Sequence, residues 1–430
     1  MDLEGWPGHI WLEGRTAVHL RDHQERPSHM PRGPAAKTGE GFLNPAMAPA
    51  RTRSVLLLAD ALEHDWLVPH TKPIRALDAL CATGVRCRRW RKEIPNQDRL
   101  RVTANDLDRD ALDWGIRSHQ EHPVGDDKEW VSEANRFETD QEGKVVDGIQ
   151  WVNGDARKIM VNAPFQWIDV DPFGSPVSFL DSAIQSISRV GVLEVTATDT
   201  AALCGSAKTS AARRYGSTGI VDSYMYDDAT RILLATIARI AAMHDKSIHP
   251  ILSLFDGHHV RVSVLLKKSK EIASEWRNNI GYRIRSQPYH FSDQPSGKFS
   301  GPMWTGPIFN AEIIQRMTVE RALKICAGQE SDYPADWSEK DIEHSRREIE
   351  RTVRHLSESA SLLSQDHLLV AIDDLGAAAG IGQLPSMKAM KQGLAERGFE
   401  MAHCQMPEPM FATDADLSLI HISEPTRLRL

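Results

Sequence analysis

Residues 167–176 read Trp-Ile-Asp-Val-Asp-Pro-Phe-Gly-Ser-Pro. An acid, a ring-locked turn and an aromatic ring follow one another there without a gap. Such a trio suits one chemical problem. The exocyclic amino group of a nucleobase is a poor nucleophile, because its lone pair is delocalised into the ring. A carboxylate and a backbone carbonyl that each accept an N–H bond draw the nitrogen toward a tetrahedral shape. The lone pair is then free to attack a sulfonium methyl, while a neighbouring ring stacks on the base and holds it in line. Asp171, the carbonyl of Pro172 and the ring of Phe173 match those needs. The bland alternative is a turn acid beside a core phenylalanine.

A second set of residues could hold the nucleoside of such a methyl donor. That task needs a tight turn after a first strand, an acid near the end of the second strand for ribose hydroxyls, and a polar grip on the base. Asp78 opens a turn that runs to Gly84, Asp106 supplies the acid, and Asp155-Ala156 falls where an adenine edge would be read. The turn holds one glycine rather than G-x-G-x-x-G. A pyrophosphate needs several backbone N–H groups brought close, so S-adenosylmethionine fits better than a nicotinamide dinucleotide. Each acid alone reads as a turn or cap residue; their order and spacing carry the argument.

The elements that must position these residues follow from periodicity. Trp167, Ile168 and Val170 have strand character, and Pro172 ends the strand. Further strands are predicted at 74–80, 101–104, 149–152, 192–197, 250–255 and 260–267, with helices from 85, at 108–119, 179–188 and 229–243. The alternation predicts a parallel sheet with helices on both faces. A helix over 54–64, capped by Ser54, precedes them. Residues 10–18 read as a short hairpin in an N-terminal extension, 1–41, and 120–148 as an acidic insertion. Beyond a boundary near 268, helices are predicted at 311–327 and 339–363, the second with Ile342, Ile349, Val353 and Leu356 as a core stripe. A Pro-led helix at 382–398 and a strand at 399–403 close a second domain, 269–417. The tail 418–430 fits nothing before it and reads as an assembly or reading-frame artefact.

Composition bounds the rest. The chain has 430 residues and a net charge of −8, so a polyanion must be met by local basic patches. The strongest candidates are Arg86/Arg88/Arg89/Arg91/Lys92, Arg213/Arg214 and Lys267/Lys268/Lys270, though any one of them taken alone reads better as a solvated surface face. Five scattered cysteines (Cys81, Cys87, Cys204, Cys326, Cys404) make no C-x-x-C pair, which argues against a disulfide framework or a cysteine zinc site. No apolar run has membrane-spanning length and no signal-peptide pattern opens the chain, so a cytoplasmic location follows by default.

The motifs together resemble the tRNA guanine-N2 dimethyltransferase family. The matching segments are Glu13-Gly14, Phe42–Pro45 with Arg51, Asp78–Arg86, Asn105-Asp106, Gly154–Ala156, Asp169–Pro176, Thr196–Gly205, Arg214-Tyr215-Gly216 and Gly301–Pro307, in family order. The resemblance implies a Rossmann-like class I methyltransferase domain of α/β type over 42–268, with a smaller C-terminal α+β domain that grips tRNA. It implies that Arg51, Asp78, Arg86, Asp106, Asp155 and Ala156 hold S-adenosylmethionine. Asp171 is then the catalytic acid contact, and Phe42 and Phe173 flank the guanine. Asp199 in Thr198-Asp199-Thr200 shapes the pocket floor or braces a loop, and Cys204 is read as packing. Lys267, Lys268, Arg277, Arg283, Arg285, Lys388 and Lys391 are tRNA-contact candidates. One departure stands out: Gly297 and Ser300 occupy positions where archaeal relatives carry a second cysteine pair, so no structural metal is expected. A monomer is expected. The rivals are an adenine-N6 amino-methyltransferase, a non-catalytic tRNA-binding protein and a nicotinamide oxidoreductase.

Overall fold

A computed structural model describes residues 3, 5–20, 43–95, 97–124, 144–146, 148–286, 289–333, 337–365, 368–372, 374–375, 386–407 and 409–415. Phe42 and the tail from 416 onward lie outside the described residues.

The chain opens with the expected hairpin, β1 (His9–Glu13) and β2 (Thr16–Leu20), paired antiparallel. Helix α1 (Ala48–Glu63), strand β3 (Ile74–Asp78), α2 (Val85–Glu93), β4 (Leu100–Asp106), α3 (Arg109–Glu121), β5 (Lys144–Val146) and β6 (Ile149–Asn153) follow. Then come α4 (Ala156–Asn162), β7 (Phe165–Val170), α5 (Val177–Ser186), β8 (Ile187–Ala197), α6 (Lys208–Tyr215), α7 (Met225–Met243), β9 (Lys246–Asp256) and β10 (His259–Lys268). The remainder holds β11 (Ile280–Ile284), β12 (His290–Ser292), β13 (Phe299–Trp304), α8 (Val319–Cys326), α9 (Glu339–Val353), α10 (Leu356–Leu363), β14 (Leu368–Ala371), α11 (Met387–Ala395), β15 (Met401–Cys404) and β16 (Met410–Thr413).

Two compact units interleave along the chain. Met1–Ala197, Val264–Ser269 and Arg316–Arg354 form the first; Thr198–Ser263, Lys270–Gln315 and His355–Leu430 form the second. The sequence predicts one boundary near 268 instead. The physical reason for the return is visible on α1. Its buried Asp60 pairs with Arg316 at 2.7 Å, and Arg53 donates to the carbonyl of Thr352 at 3.3 Å. These ties fasten residues 316–354 to the first unit.

In the first unit the strands run in the order β5-β6-β4-β3-β7-β8. Pairings β6/β4, β4/β3, β3/β7 and β7/β8 are parallel, and β5 adds antiparallel at the edge. Strand addition reverses between β3 and β7. In an open α/β sheet that reversal opens a crevice at the carboxyl ends of the strands, where ligands bind. Strand β3 is apolar on both faces (Ile74, Ala76 and Leu77 buried), as a strand covered by helices on both sides must be.

Helix α1 starts six residues before the expected Ser54. Pro49 sits in its first turn, where a missing N–H costs nothing. Ser54 is a buried mid-helix residue whose hydroxyl donates to Glu194 and accepts from Trp90 Nε1. The 311–327 helix divides in two, with Thr318 capping α8 through the Arg321 N–H. The 339–363 helix divides at Arg354 and His355 into α9 and α10.

In the second unit β12-β11-β13 and β14-β16-β15 form two small antiparallel sheets. Val370, Leu375, Met390, Leu394, Met401 and Phe411 make a core cluster beneath the second. Among the described residues, no helix is long and apolar enough to cross a membrane, and no group of three or more His, Cys, Asp or Glu could hold a metal.

Candidate active site

The first strand of the crevice, β3, ends at Asp78, paired in register with Asp169 of β7. The turn after it is pinned from three neighbours. The Ala79 N–H donates to the Asp169 carbonyl (3.0 Å), the Cys81 N–H to the Asn105 carbonyl (2.8 Å) and the Ala82 N–H to Asp106 Oδ2 (2.7 Å). Gly84 closes the turn at φ +70°, and a Cβ there would lie 2.3 Å from the Trp151 ring. Only glycine fits both demands. The geometry aims the first turn of α2, and with it Arg86, back across the strand ends.

Arg86 is the hub. Its Nη2 donates to Asp171 Oδ2 at 2.7 Å, its Nη1 lies 3.2 Å from Asp169 Oδ2, and its Nε 3.6 Å from Asp78 Oδ2. Asp78 and Asp169 are buried and Asp171 is half-buried. Three carboxylates thus share one guanidinium. Burial pushes the Asp78 carboxyl up to about 8; Arg86 opposes the rise, and Asp169, Asp171 and Asp106 add to it. Beyond Asp171, Pro172 is buried while the Phe173 side is 53% exposed, on a turn that Gly174 completes at φ +78°.

The other expected residues divide. Asp106 sits at the end of β4, but it is also structural, accepting the Ala82 and Asp108 N–H groups. Arg51 is held bidentate by Glu13 at 2.6 Å through both contacts and also donates to the Asn44 carbonyl. Burial would raise the Glu13 carboxyl, but Arg51 and Arg89 outweigh it and hold it below its usual range. Asp155 caps α4 through the Arg157 N–H and pairs with the Arg157 side chain at 2.6 Å. That hydrogen bond, more than anything else, lowers its carboxyl. Ala156 opens α4 and is buried.

Two readings are corrected. The basic run in α2 is no surface patch: Arg86, Arg88, Arg89 and Arg91 are all buried. Each guanidinium reaches an internal acceptor, Ser118 and Ala17 for Arg88, Gln97 for Arg91. Arg283 is likewise unavailable to RNA, clamped by Asp228 at 2.6 Å and Asp222 at 2.9 Å. In the second unit, Asp199 accepts from the Tyr215 hydroxyl (2.6 Å) and Arg214 (2.9 Å), the bracing role. Burial pushes the Cys204 thiol up to about 12, which suits packing and not nucleophilic attack. Sequence reasoning missed Asp169 and Glu13 as parts of the site. It also passed over Leu107, 71% exposed directly after Asp106, an apolar face offered at the crevice rim. Its signal was an apolar residue immediately after a strand-end acid.

The residues fit a sulfonium nucleoside. Asp78 Oδ1 is buried with no hydrogen-bond partner, and such an atom calls for a donor from a ligand. The carboxylate excess around Arg86 asks for positive charge. The family profile described as N2,N2-dimethylguanosine tRNA methyltransferase matches residues 25–423.

The chain belongs to this family.

A tRNA (guanine(26)-N(2))-dimethyltransferase of Pyrococcus furiosus is 34% identical over 297 residues, covering 66% of this chain and 72% of that one. A bovine tRNA (guanine(27)-N(2))-dimethyltransferase is 28% identical over 65% of this chain and 41% of its own. The structure of Trm1 from Pyrococcus horikoshii with S-adenosyl-L-methionine aligns with a TM-score of 0.74 at 25% identity, covering 96% of this chain and 99% of that one. As a family member the protein is an S-adenosylmethionine-dependent tRNA guanine-N2 methyltransferase, with the Rossmann-like fold and smaller second region that the sequence predicts.

Proposed function

We propose that the enzyme methylates the exocyclic N2 of a guanosine at the junction of the D stem and anticodon stem of tRNA, in the cytoplasm, with Asp171 as the acid contact. The observation that carries this reading is the placement of Asp171 at the strand-order reversal, one oxygen held by Arg86 and the Phe173 ring exposed beside it. Asp171 and the Pro172 carbonyl accept the two amino N–H groups of the guanine. Asp171, held by Arg86 as an ion pair, would orient the amine as an acceptor and take up the proton that the amine sheds once it carries the new methyl, passing it on to solvent. Phe173 stacks on the base, with Phe42 as its expected counterpart. The base must leave its stack to reach Asp171, at a cost of a few kcal/mol, which favours a strained junction nucleotide.

Bound S-adenosylmethionine supplies an electrophilic methyl on a sulfonium. Asp78, through its unpartnered oxygen, and Arg51 and Arg86 are the residues assigned to its amino-acid end. Asp106 is assigned to its ribose, and Asp155, Ala156 and Leu107 to its base. A monomethylated amine can rotate about its C–N bond and present its second proton to the same acceptors, so two transfers need no second site.

The relatives differ in target, guanine 26 in Pyrococcus furiosus and guanine 27 in cattle; position 26 is the reading adopted for this chain. Asp171→Ala should lower methyl transfer about 10²–10⁴-fold while tRNA binding stays unchanged. Mass mapping of nucleosides in treated, unmodified tRNA reads both the position and the number of methyls. Methylation of adenosine instead, or full activity in Asp171→Ala, would sink the proposal.

A further inference from the structure

We propose that Asp169 is a positioning residue for methyl transfer, acting on Asp171 through Arg86. The inference rests on the reading of Asp171 given above. Asp169 and Asp171 stand two residues apart at the end of β7, and in extended chain that spacing puts both side chains on one face. The Arg86 guanidinium lies along that face. One arm reaches Asp169 Oδ2 at 3.2 Å, the other Asp171 Oδ2 at 2.7 Å. A planar fork hydrogen-bonded to Asp171 on one arm and in ion-pair contact with Asp169 on the other has less freedom to rotate than a lysine ammonium.

Asp169 is fully buried, and through its ion pair with Arg86 it can act on Asp171 without touching the substrate. Asp171 spends Oδ2 on Arg86, and its Oδ1 makes no hydrogen bond among the described residues. The direction in which Oδ1 meets the amine is therefore set by the guanidinium, and the guanidinium is set by Asp169. Charge works the same way. Arg86 shared among Asp171, Asp169 and Asp78 leaves Asp171 a strong acceptor. Were Asp169 neutral, Arg86 would close onto Asp171 and weaken it. The Asp-x-Asp-Pro-Phe motif thus carries two acids with different tasks, one facing the substrate and one facing the arginine.

The test is a double-mutant cycle on the single-turnover methylation rate, with the dissociation constants of S-adenosylmethionine and tRNA measured in parallel. At saturating S-adenosylmethionine and tRNA, Asp169→Asn should slow the step about 10- to 100-fold, with the tRNA dissociation constant within about threefold of wild type. Because Asp169 works through Asp171, the double variant with Asp171→Asn should be no slower than Asp171→Asn alone. An unchanged saturated rate in Asp169→Asn, or a double variant slowed by the product of the two effects, would each overturn the inference. If Asp169→Asn lacks a cooperative melting transition, Arg86→Lys replaces it in the cycle. A single-armed cation should show the same non-additivity with Asp171→Asn, and additive effects would count against the bracket. Failure of the earlier reading is distinguishable, because Asp171→Asn would then itself remain active.

Discussion

Two arginine-rich helices in this chain use their charge in opposite ways. In α2 the guanidiniums of Arg88, Arg89 and Arg91 are buried and tied to internal acceptors. In α6, Arg213 and Arg214 stand exposed, and Arg213 has no ion-pair partner among the described residues. The two runs look alike as sequence. What separates them is the supply of buried acceptors: Glu13 and Glu93 beside Arg89, Asp78 and Asp169 beside Arg86, and a hydroxyl and backbone carbonyls beside Arg88 and Arg91. A cation in α2 is a strut, so its loss should be read in stability. A cation in α6 is available to a polyanion, so its loss should be read in tRNA binding.

The sharpest break of that contrast is Arg89→Ala. Arg89 donates to both oxygens of Glu93 (2.7 and 2.9 Å), to Glu13 (3.1 Å) and to Thr52 (3.0 Å). Burial disfavours its charged form, but the two glutamates outweigh that and raise its pKa. Removing it strands buried carboxylates, and breaking such a network costs about 3–5 kcal/mol. Thermal unfolding should fall by on the order of 10 °C. A melting point within a degree or two of wild type would show that α2 tolerates its charges as freely as a surface helix does.

A second effect sits at the mouth of α2. Asp78 titrates near 8 in the folded, ligand-free protein against an ordinary 3.8. Between those values the folded state holds a proton that the unfolded chain has lost. The contribution to stability is therefore full at the acid end and disappears as pH rises through about 8. The ligand-free protein should melt lower at pH 9 than at pH 6.5, and Asp78→Asn should flatten that part of the profile. A difference that survives Asp78→Asn intact would assign the titration elsewhere.

These cases also show what could be read in the sequence. The acids at the ends of β3, β4 and β7 were legible because a strand ending in Asp places that side chain at the ligand-bearing edge whatever its neighbours are. The burial of α2 was not, since it depends on Glu13 and Asp169, which the fold alone brings close. The first turn of α1 has no sequence signature, because the helix is buried from Ala50 to Leu62 and a helix covered on every side lacks a polar face to mark its phase. The return of residues 316–354 to the first unit rests on Arg316 and Asp60, a pair with no local signature. Asp155 follows the end of β6 as its motif implies, but its capping of α4 and its pairing with Arg157 are local geometry that the motif does not disclose.

The smallest effect belongs to α6 and tests the other half of the contrast. With a net charge of −8 the chain as a whole repels RNA, so exposed cations on single elements must do the gripping. Arg213→Ala should leave the melting point unchanged, since a surface substitution of this kind stays within about 0.5 kcal/mol. It should weaken tRNA binding several-fold and reduce the salt dependence of log affinity by about one unit of slope or slightly less. Arg214→Ala differs in a useful way. Arg214 also pairs with Asp199 at 2.9 Å, so its removal withdraws a brace from that loop as well as a charge, and methylation should fall more than binding does. If Arg213→Ala leaves both affinity and salt slope untouched, α6 is a solvated face. The tRNA contacts then fall to other exposed cations such as Lys267 and Lys268, and exposure alone would not have been enough to tell a docking helix from a soluble one.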